Sequence, residues 1–105
     1  MRLVYLPEAR LEVLEAVTYY HSCQEGLAAD FYRQLQKAER EIIQWPEFWK
    51  QVADGYRRRN LDRFPYAMIY HQLPDDVLEV VAVIHQMRKP GYWEERKKAW
   101  KSSFL

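Results

Sequence analysis

The sequence predicts an α+β fold in which an antiparallel helical hairpin packs on a small, mainly antiparallel sheet. Helical periodicity fills the first half of the chain, up to Pro46. Alternation typical of strands begins at Tyr56. Turn residues separate the predicted elements in both halves of the chain. These three observations give the element order βααβββ, followed by a terminal helix over residues 92–101.

The first strand and the first helix adjoin each other. Residues 2–6 are apolar and short, and they end at Pro7. Proline suits the first turn of a helix because its missing N–H would have no partner there. Gly26 marks the following turn. Between them, apolar residues recur at helical spacing up to about His21, namely Ala9, Val13, Ala16, Val17 and Tyr20.

The second helix is the clearest element. Arg33, Lys37 and Arg40 belong to a polar face, and Pro46 ends the helix because proline disfavours helical backbone in the residue before it. The opposite face is a continuous apolar stripe that we expect to be core, consisting of Leu27, Phe31, Leu35, Ala38, Ile42 and Trp45.

Three strands are predicted in the second half, after a loop over residues 46–55. Residues 56–61 form a short polar strand, and residues 66–71 alternate aromatic and branched side chains. Pro74-Asp75-Asp76 is typical of a turn. Residues 77–85 are almost all apolar, as in a central strand covered on both faces.

Composition limits the class of protein. The chain has 105 residues, a formal net charge of +1 and one cysteine. Cys23 alone makes neither a disulfide framework nor a multi-cysteine zinc site, and we expect it to be a packing residue. No apolar run reaches the roughly 20 residues that span a bilayer. We therefore expect one cytoplasmic domain over residues 1–105 with no membrane contact, and residues 97–105 are a candidate flexible tail.

Charge is distributed unevenly, since the first 52 residues carry more acidic than basic side chains and the remainder the reverse. Arg57, Arg58, Arg59 and Arg63 lie close to Tyr66 in sequence. Guanidinium groups bind phosphate or carboxylate, and aromatic rings stack on bases. The group therefore predicts a surface for a polyanion or an acidic partner segment. The alternative is a solvated strand.

A second group, His85, Arg88 and Tyr92, follows the apolar strand. These residue types serve as general acid or base and as phosphate stabiliser in RNA cleavage. We favour a structural alternative, in which His85 ends the strand with a hydrogen bond and Arg88 pairs with an acid such as Glu94. The three histidines lie in different elements and no glycine-rich loop is present, so the sequence predicts neither metal nor cofactor.

Two motifs of the second half are specific: Arg63-Phe64-Pro65-Tyr66-x-x-x-Tyr70, then His85-x-x-Arg88-x-Pro90-x-Tyr92-Trp93, followed by Arg96. With these motifs the chain closely resembles the RelE/ParE superfamily of bacterial toxins. The similarity spans roughly residues 3–97, and Trp45-Pro46 in the first half also agrees.

The resemblance implies a toxin of a type II toxin–antitoxin system, neutralised by a cognate antitoxin and able to form higher-order hetero-oligomers with it. RelE-like members cleave mRNA on the ribosome, whereas ParE-like members act on DNA gyrase. Many proteins with this motif are named plasmid stabilisation proteins. RelE-like nucleases carry an arginine directly after the tyrosine that corresponds to Tyr66, and this chain has Ala67.

The resemblance therefore favours a ParE-like inhibitor of growth that is not an enzyme. The residues expected to bind a target or antitoxin are Arg57, Arg59, Arg63, Tyr66, Arg88 and Tyr92. The alternatives are a ribosome-dependent endoribonuclease that uses His85, Arg88 and Tyr92, or a non-toxic interaction domain of the same fold.

Overall fold

The computed structural model describes residues 1–88, 91–94 and 96. Its elements confirm the α+β class and the helical hairpin. The terminal helix predicted over 92–101 is described only in part. Tyr92 and Trp93 lie in a turn, so the predicted start was wrong, whereas Glu94 and Arg96 have helical backbone; residues 95 and 97–105 lie outside the described residues. In chain order the elements are β1 (Arg2–Tyr5), α1 (Pro7–Cys23), α2 (Leu27–Gln44), β2 (Lys50–Ala53), β3 (Tyr56–Asn60), β4 (Tyr66–Leu73) and β5 (Val77–His85).

The sheet has five strands in the order β1-β5-β4-β3-β2. The first strand pairs in parallel with the last, with Arg2 opposite Val77. The other three pairings are antiparallel, which confirms the mainly antiparallel sheet. The predicted turn between β4 and β5 is also present, and Asp75 and Asp76 adopt left-handed φ values of 64° and 58° there. Short polar side chains tolerate this conformation better than most.

Strand β2 was not predicted, because it lies inside the stretch 46–55 that the sequence presents as a loop. Within the described part of the chain this short edge strand pairs with β3 alone, and its register shifts between Gln51 and Ala53. Its three N-terminal residues are exposed. Such an edge strand has no buried face and therefore lacks the hydrophobic alternation that would reveal it.

The helices cover one face of the sheet, and the predicted apolar stripe of α2 packs against it. Two residues predicted to be packed, Trp45 and Cys23, are exposed instead. Phe31, Leu35, Ala38 and Ile42 are fully or almost fully buried. Trp45 is 53% exposed, so its assignment to the core was wrong. It is the first residue after α2, and its backbone has left the helical conformation. Cys23 likewise ends α1 as an exposed residue and is not a packing residue.

The centre of the sheet, strands β4 and β5, is buried on both faces, as the apolar sequence of β5 predicts. Met68, Tyr70 and Val80 face the helices in the larger cluster. A smaller cluster covers the opposite face and consists of Tyr56, Ala67, Ile69, Val81, Ala82, Ile84 and Trp93. No helix among the described residues is long and apolar enough to span a membrane.

Tyr70 joins this core to the loop after α2 and gives a prediction about alkaline stability. Its hydroxyl donates to the carbonyl of Pro46 at 2.6 Å. Burial raises the pKa of Tyr70 from 10.0 to about 12. As pH rises, the Tyr70 hydroxyl therefore loses its proton in the unfolded chain before it does so in the folded chain. The contribution of Tyr70 to the free energy of unfolding falls as pH rises between these two pKa values. We expect chemical denaturation to show a smaller loss over this range for Tyr70→Phe than for the wild type. Equal losses in both proteins would contradict this assignment.

Candidate functional site

The predicted group at the end of β5 converges on one cavity of about 270 Å³. Antiparallel pairing of β4 with β5 places Tyr66 opposite His85. The turn after β5 brings Arg88 and Tyr92 back to the same place. The cavity is lined by Glu12, Glu15, Ala16, Tyr19, Tyr66, Val83, Ile84, His85, Arg88 and Tyr92.

His85 and Tyr66 form the floor of this site. Their rings meet edge to face with centroids 5.2 Å apart. The backbone N–H of Met87 donates to Nδ1 of His85 at 3.0 Å, which fixes the ring and makes Nδ1 an acceptor. Tyr66 also contacts the rings of Tyr20 and Phe31. Burial, followed by the nearby Tyr19 and Glu15, raises the pKa of Tyr66. Its phenol is therefore a proton donor at neutral pH.

Arg88 and Tyr92 form one wall. The guanidinium carbon of Arg88 lies 4.4 Å from the centre of the Tyr92 ring, a cation–π arrangement. No ion pair joins Arg88 to Glu94, although both residues are described, so the predicted pairing is absent. The backbone N–H of Arg88 donates to the carbonyl of His85 at 2.9 Å and closes the turn. Arg88 is exposed and lines the cavity with its charge.

Glu12 of α1 also lines the cavity, beside Tyr92, and its carboxylate accepts four hydrogen bonds. Oε1 accepts the backbone N–H of Val83 at 3.0 Å and a guanidinium N–H of Arg96 at 2.9 Å. Oε2 accepts the hydroxyl of Tyr92 and the second guanidinium nitrogen of Arg96, the latter at 3.2 Å. The side chains of Glu12 and Arg96 are each only 15% exposed. This pair is charge-assisted, bidentate and largely shielded from water.

The same pair completes the hydrogen bonding of β5. Strand β1 accompanies β5 only as far as Val80, whose carbonyl accepts the N–H of Leu6. Beyond that point the N–H of Val83 goes to Glu12, and the carbonyl of Val81 accepts Arg96 at 2.8 Å. A side-chain ion pair therefore stands where a neighbouring strand would continue.

The pKa values of this group follow from its burial and contacts. Burial, followed by the hydrogen bond to Glu12, raises the pKa of Tyr92 well above its ordinary value. Burial alone would lower the pKa of Arg96, but its bonds to Glu12 raise it overall. Tyr92 is thus a poor general base, since its phenol keeps its proton and donates it to Glu12.

The three consecutive arginines have different environments, because alternate residues of β3 face opposite sides. Arg58 is half-buried and donates to the Asn60 side chain at 2.9 Å. Arg57 faces the helices and donates to the carbonyl of Trp49 at 2.8 Å. Arg59 is only 5% exposed and is held by Glu41 of α2 at 2.6 Å. These contacts give Arg57 and Arg59 structural roles within the chain.

Arg63 and Ala67 lie on either side of Tyr66. Arg63 is exposed, with a left-handed φ of 68°, and its guanidinium lies 3.9 Å from the carboxylate of Asp30. Ala67 is fully buried in the cluster on the opposite face. The position after Tyr66 therefore carries no charge and points away from the cavity that contains His85.

Glu12 was not predicted as a site residue, and Arg96 was noted only as part of the family motif. The sequence places Glu12 on the polar side of an ordinary amphipathic helix. Its partners lie 71 to 84 residues further along the chain. A local pattern contains no signal for such a contact, because it depends on which helix the segment after β5 passes.

The comparisons with known proteins agree with this architecture. No family model matches the chain, and no curated protein matches its sequence. A solved structure described as "Chromosomal ParDE TA system from P. aeruginosa" contains a chain of similar fold, with a TM-score of 0.59 and 12% sequence identity. The match covers 81% of this chain and 95% of that one. At this identity the likeness concerns the fold, and it supports the predicted RelE/ParE-like architecture.

Proposed function

We propose that this chain is the toxin of a type II toxin–antitoxin system, which inhibits growth by binding an essential protein and is neutralised by a cognate antitoxin. DNA gyrase is the leading candidate for the target. The motifs around Tyr66 and Arg88 and the fold shared with a chain of a ParDE system support this proposal. The protein would act in the cytoplasm.

The observation that carries the choice of protein binding over RNA cleavage is the position of Glu12. A nuclease needs its donors free to stabilise a phosphate that gains charge in the transition state. Here the hydroxyl of Tyr92 and the guanidinium of Arg96 already bind a carboxylate. Ala67, which follows Tyr66 in β4, has no charge to offer a phosphate and lies in the cluster on the opposite face of the sheet. Among the described residues that line the cavity, Arg88 is therefore the one charged donor that no carboxylate occupies.

The exposed arginines at this end of the sheet are where an acidic partner would bind. Arg63 precedes β4 and Arg88 follows β5, and the pairing of Tyr66 with His85 places both ends together. An acidic antitoxin segment that becomes ordered on binding would pair with these guanidinium groups. Higher-order assemblies of toxin and antitoxin are part of the same proposal.

Ribosome-dependent mRNA cleavage is the second candidate, and one observation favours it. The nuclease hypothesis names His85, Arg88 and Tyr92. All three line a single cavity, together with Tyr66. In that case Arg88 would be the phosphate ligand, since its charge is exposed.

Inducible expression with Arg88→Ala as the matched variant distinguishes the two candidates. We expect the wild-type chain to arrest growth, and co-expression of the small protein encoded beside it to restore growth. If the chain acts by binding a protein, we expect inhibited supercoiling by gyrase and intact cellular transcripts. In that case Arg88→Ala weakens the growth arrest by about tenfold or less, which is the effect of losing one exposed charge pair.

Other outcomes contradict the proposal. Cleavage of translated mRNA that Arg88→Ala abolishes would identify the nuclease. Normal growth of cells that contain folded, soluble chain would exclude a toxin, and antitoxin binding retained in such cells would identify the non-toxic interaction domain.

A further inference from the structure

We propose that the carboxylate of Glu12 fills an oxyanion-binding site of this chain and thereby excludes phosphate groups from it. The inference deepens the proposed function, because it gives the physical reason why a RelE/ParE-like cavity does not hold RNA phosphate. The donors of the site come from three places in the sequence. They are the N–H of Val83, the hydroxyl of Tyr92 and the guanidinium of Arg96.

The donor set fits a phosphate as well as it fits a carboxylate. Each oxygen of Glu12 accepts two donors, and the two nitrogens of Arg96 each bind a different oxygen. A guanidinium fork binds two oxygens of a phosphate in the same bidentate manner. The backbone N–H of Val83 and the phenol of Tyr92 are neutral donors of the type found at oxyanion sites.

Glu12 prevails over a free anion because it is tethered. Its helix packs against the sheet, so the carboxylate stays beside Arg96 at an effective concentration in the millimolar range or above. It also neutralises a guanidinium that is only 15% exposed, and such a charge is unfavourable without a partner. A phosphate must displace Glu12 before it can bind.

The site is accessible to a small anion from the cavity. Glu12, Val83 and Tyr92 all line the same space of about 270 Å³. The exposed Arg88 stacks on the Tyr92 ring and also lines this space, as does the carboxylate of Glu15. Removal of the Glu12 carboxylate would therefore leave two guanidinium groups, those of Arg88 and Arg96, against one carboxylate, with donors for two oxygens.

Replacement of Glu12 by alanine tests this inference in the folded protein. We expect Glu12→Ala to bind inorganic phosphate at least about tenfold more tightly than the wild type in calorimetry, because charge-assisted donors become free. Phosphate should also raise the melting temperature of Glu12→Ala and leave that of the wild type unchanged. Glu25→Ala makes the same change in net charge at an exposed position between α1 and α2 that does not line the cavity, and it should gain nothing.

The second arm uses a short single-stranded RNA. Binding of RNA together with phosphate by Glu12→Ala indicates a site that accepts phosphodiesters, and binding of phosphate alone indicates one limited to free or terminal phosphate. Either result supports exclusion by Glu12. The additional change Arg96→Ala should abolish the gain.

Two results would overturn the inference: a folded Glu12→Ala protein with wild-type phosphate affinity, or an equal gain in Glu25→Ala. If Glu12→Ala does not fold, Glu12→Gln replaces it in the same comparison, since the amide oxygen still accepts from Val83 while the charge is gone. These measurements concern purified protein and not growth, so this inference and the proposed toxicity can fail independently.

Discussion

Replacement of Phe31 by alanine is expected to lower the free energy of unfolding by about 3–5 kcal/mol, the cost of a large cavity in a packed core. The side chain is fully buried. Its ring lies 5.3 Å, centre to centre, from each of Tyr20, Phe64 and Tyr66. Because small domains are stable by only about 5–15 kcal/mol, this loss is a large part of the total.

Denaturant titration measures the effect, and Tyr32→Ala is the matched control. Tyr32 is the next aromatic residue of α2 but is 49% exposed, so we expect it to cost less than about 1 kcal/mol. Phe31→Leu should cost roughly 1.5 kcal/mol or less, since it refills most of the volume. A Phe31→Ala loss no larger than that of Tyr32→Ala would mean that this aromatic cluster is not the core.

Replacement of Arg59 by alanine is expected to cost roughly 3 kcal/mol, the lower end for a broken buried pair, because the Glu41 carboxylate that loses its partner is 27% exposed. The guanidinium of Arg59 bonds to Glu41 at 2.6 Å and to the carbonyl of Asn60. It also stacks at 4.6 Å over the ring of Trp49. The change would therefore loosen the contact of α2 with β3 and the loop before β2.

Thermal or chemical unfolding of Arg59→Ala should be compared with Arg58→Ala. Arg58 is the neighbouring guanidinium on the opposite face, and we expect its removal to change stability by about 0.5 kcal/mol. Equal losses would show that the two arginines have equivalent environments. If Arg59 acts mainly on a partner, the variant would unfold like the wild type while losing partner binding.

Periodicity predicted most of the fold because burial is what produces it. The stripe of α2 packs on one face of the helix, and β5 is covered on both faces of the sheet. Their apolar patterns therefore indicate which faces are buried. Trp45 continues the stripe in sequence, but the helix ends at Gln44 and the stripe ends with it. Strand β2 has no buried face, so hydrophobic alternation could not reveal it.

The candidate site was predictable in part. His85, Arg88 and Tyr92 meet at one cavity because they surround a single strand end, and the sequence contains that proximity. Alternation along β3 correctly separates Arg58 from Arg57 and Arg59. The alternation does not indicate which face of β3 is exposed to solvent. Arg59 lies on the buried face and pairs with Glu41 of α2, a contact that the sequence of β3 does not contain. Glu12 could not be predicted for the same reason, since its partners come from the other end of the chain.

The pairing of β1 with β5 has a consequence for the synthesis of the chain. Strand β1 leaves the ribosome before β5, yet among the described residues β5 is its partner in the sheet, with Tyr5 opposite Val80. Contacts so distant in sequence close late, because the loop-closure entropy must be overcome first. Until β5 has been translated, both helices lack the centre of the sheet that they cover. A chain cut short before Val77 would therefore expose its apolar helix faces, and the cavity at the end of β5 exists only in a complete sheet.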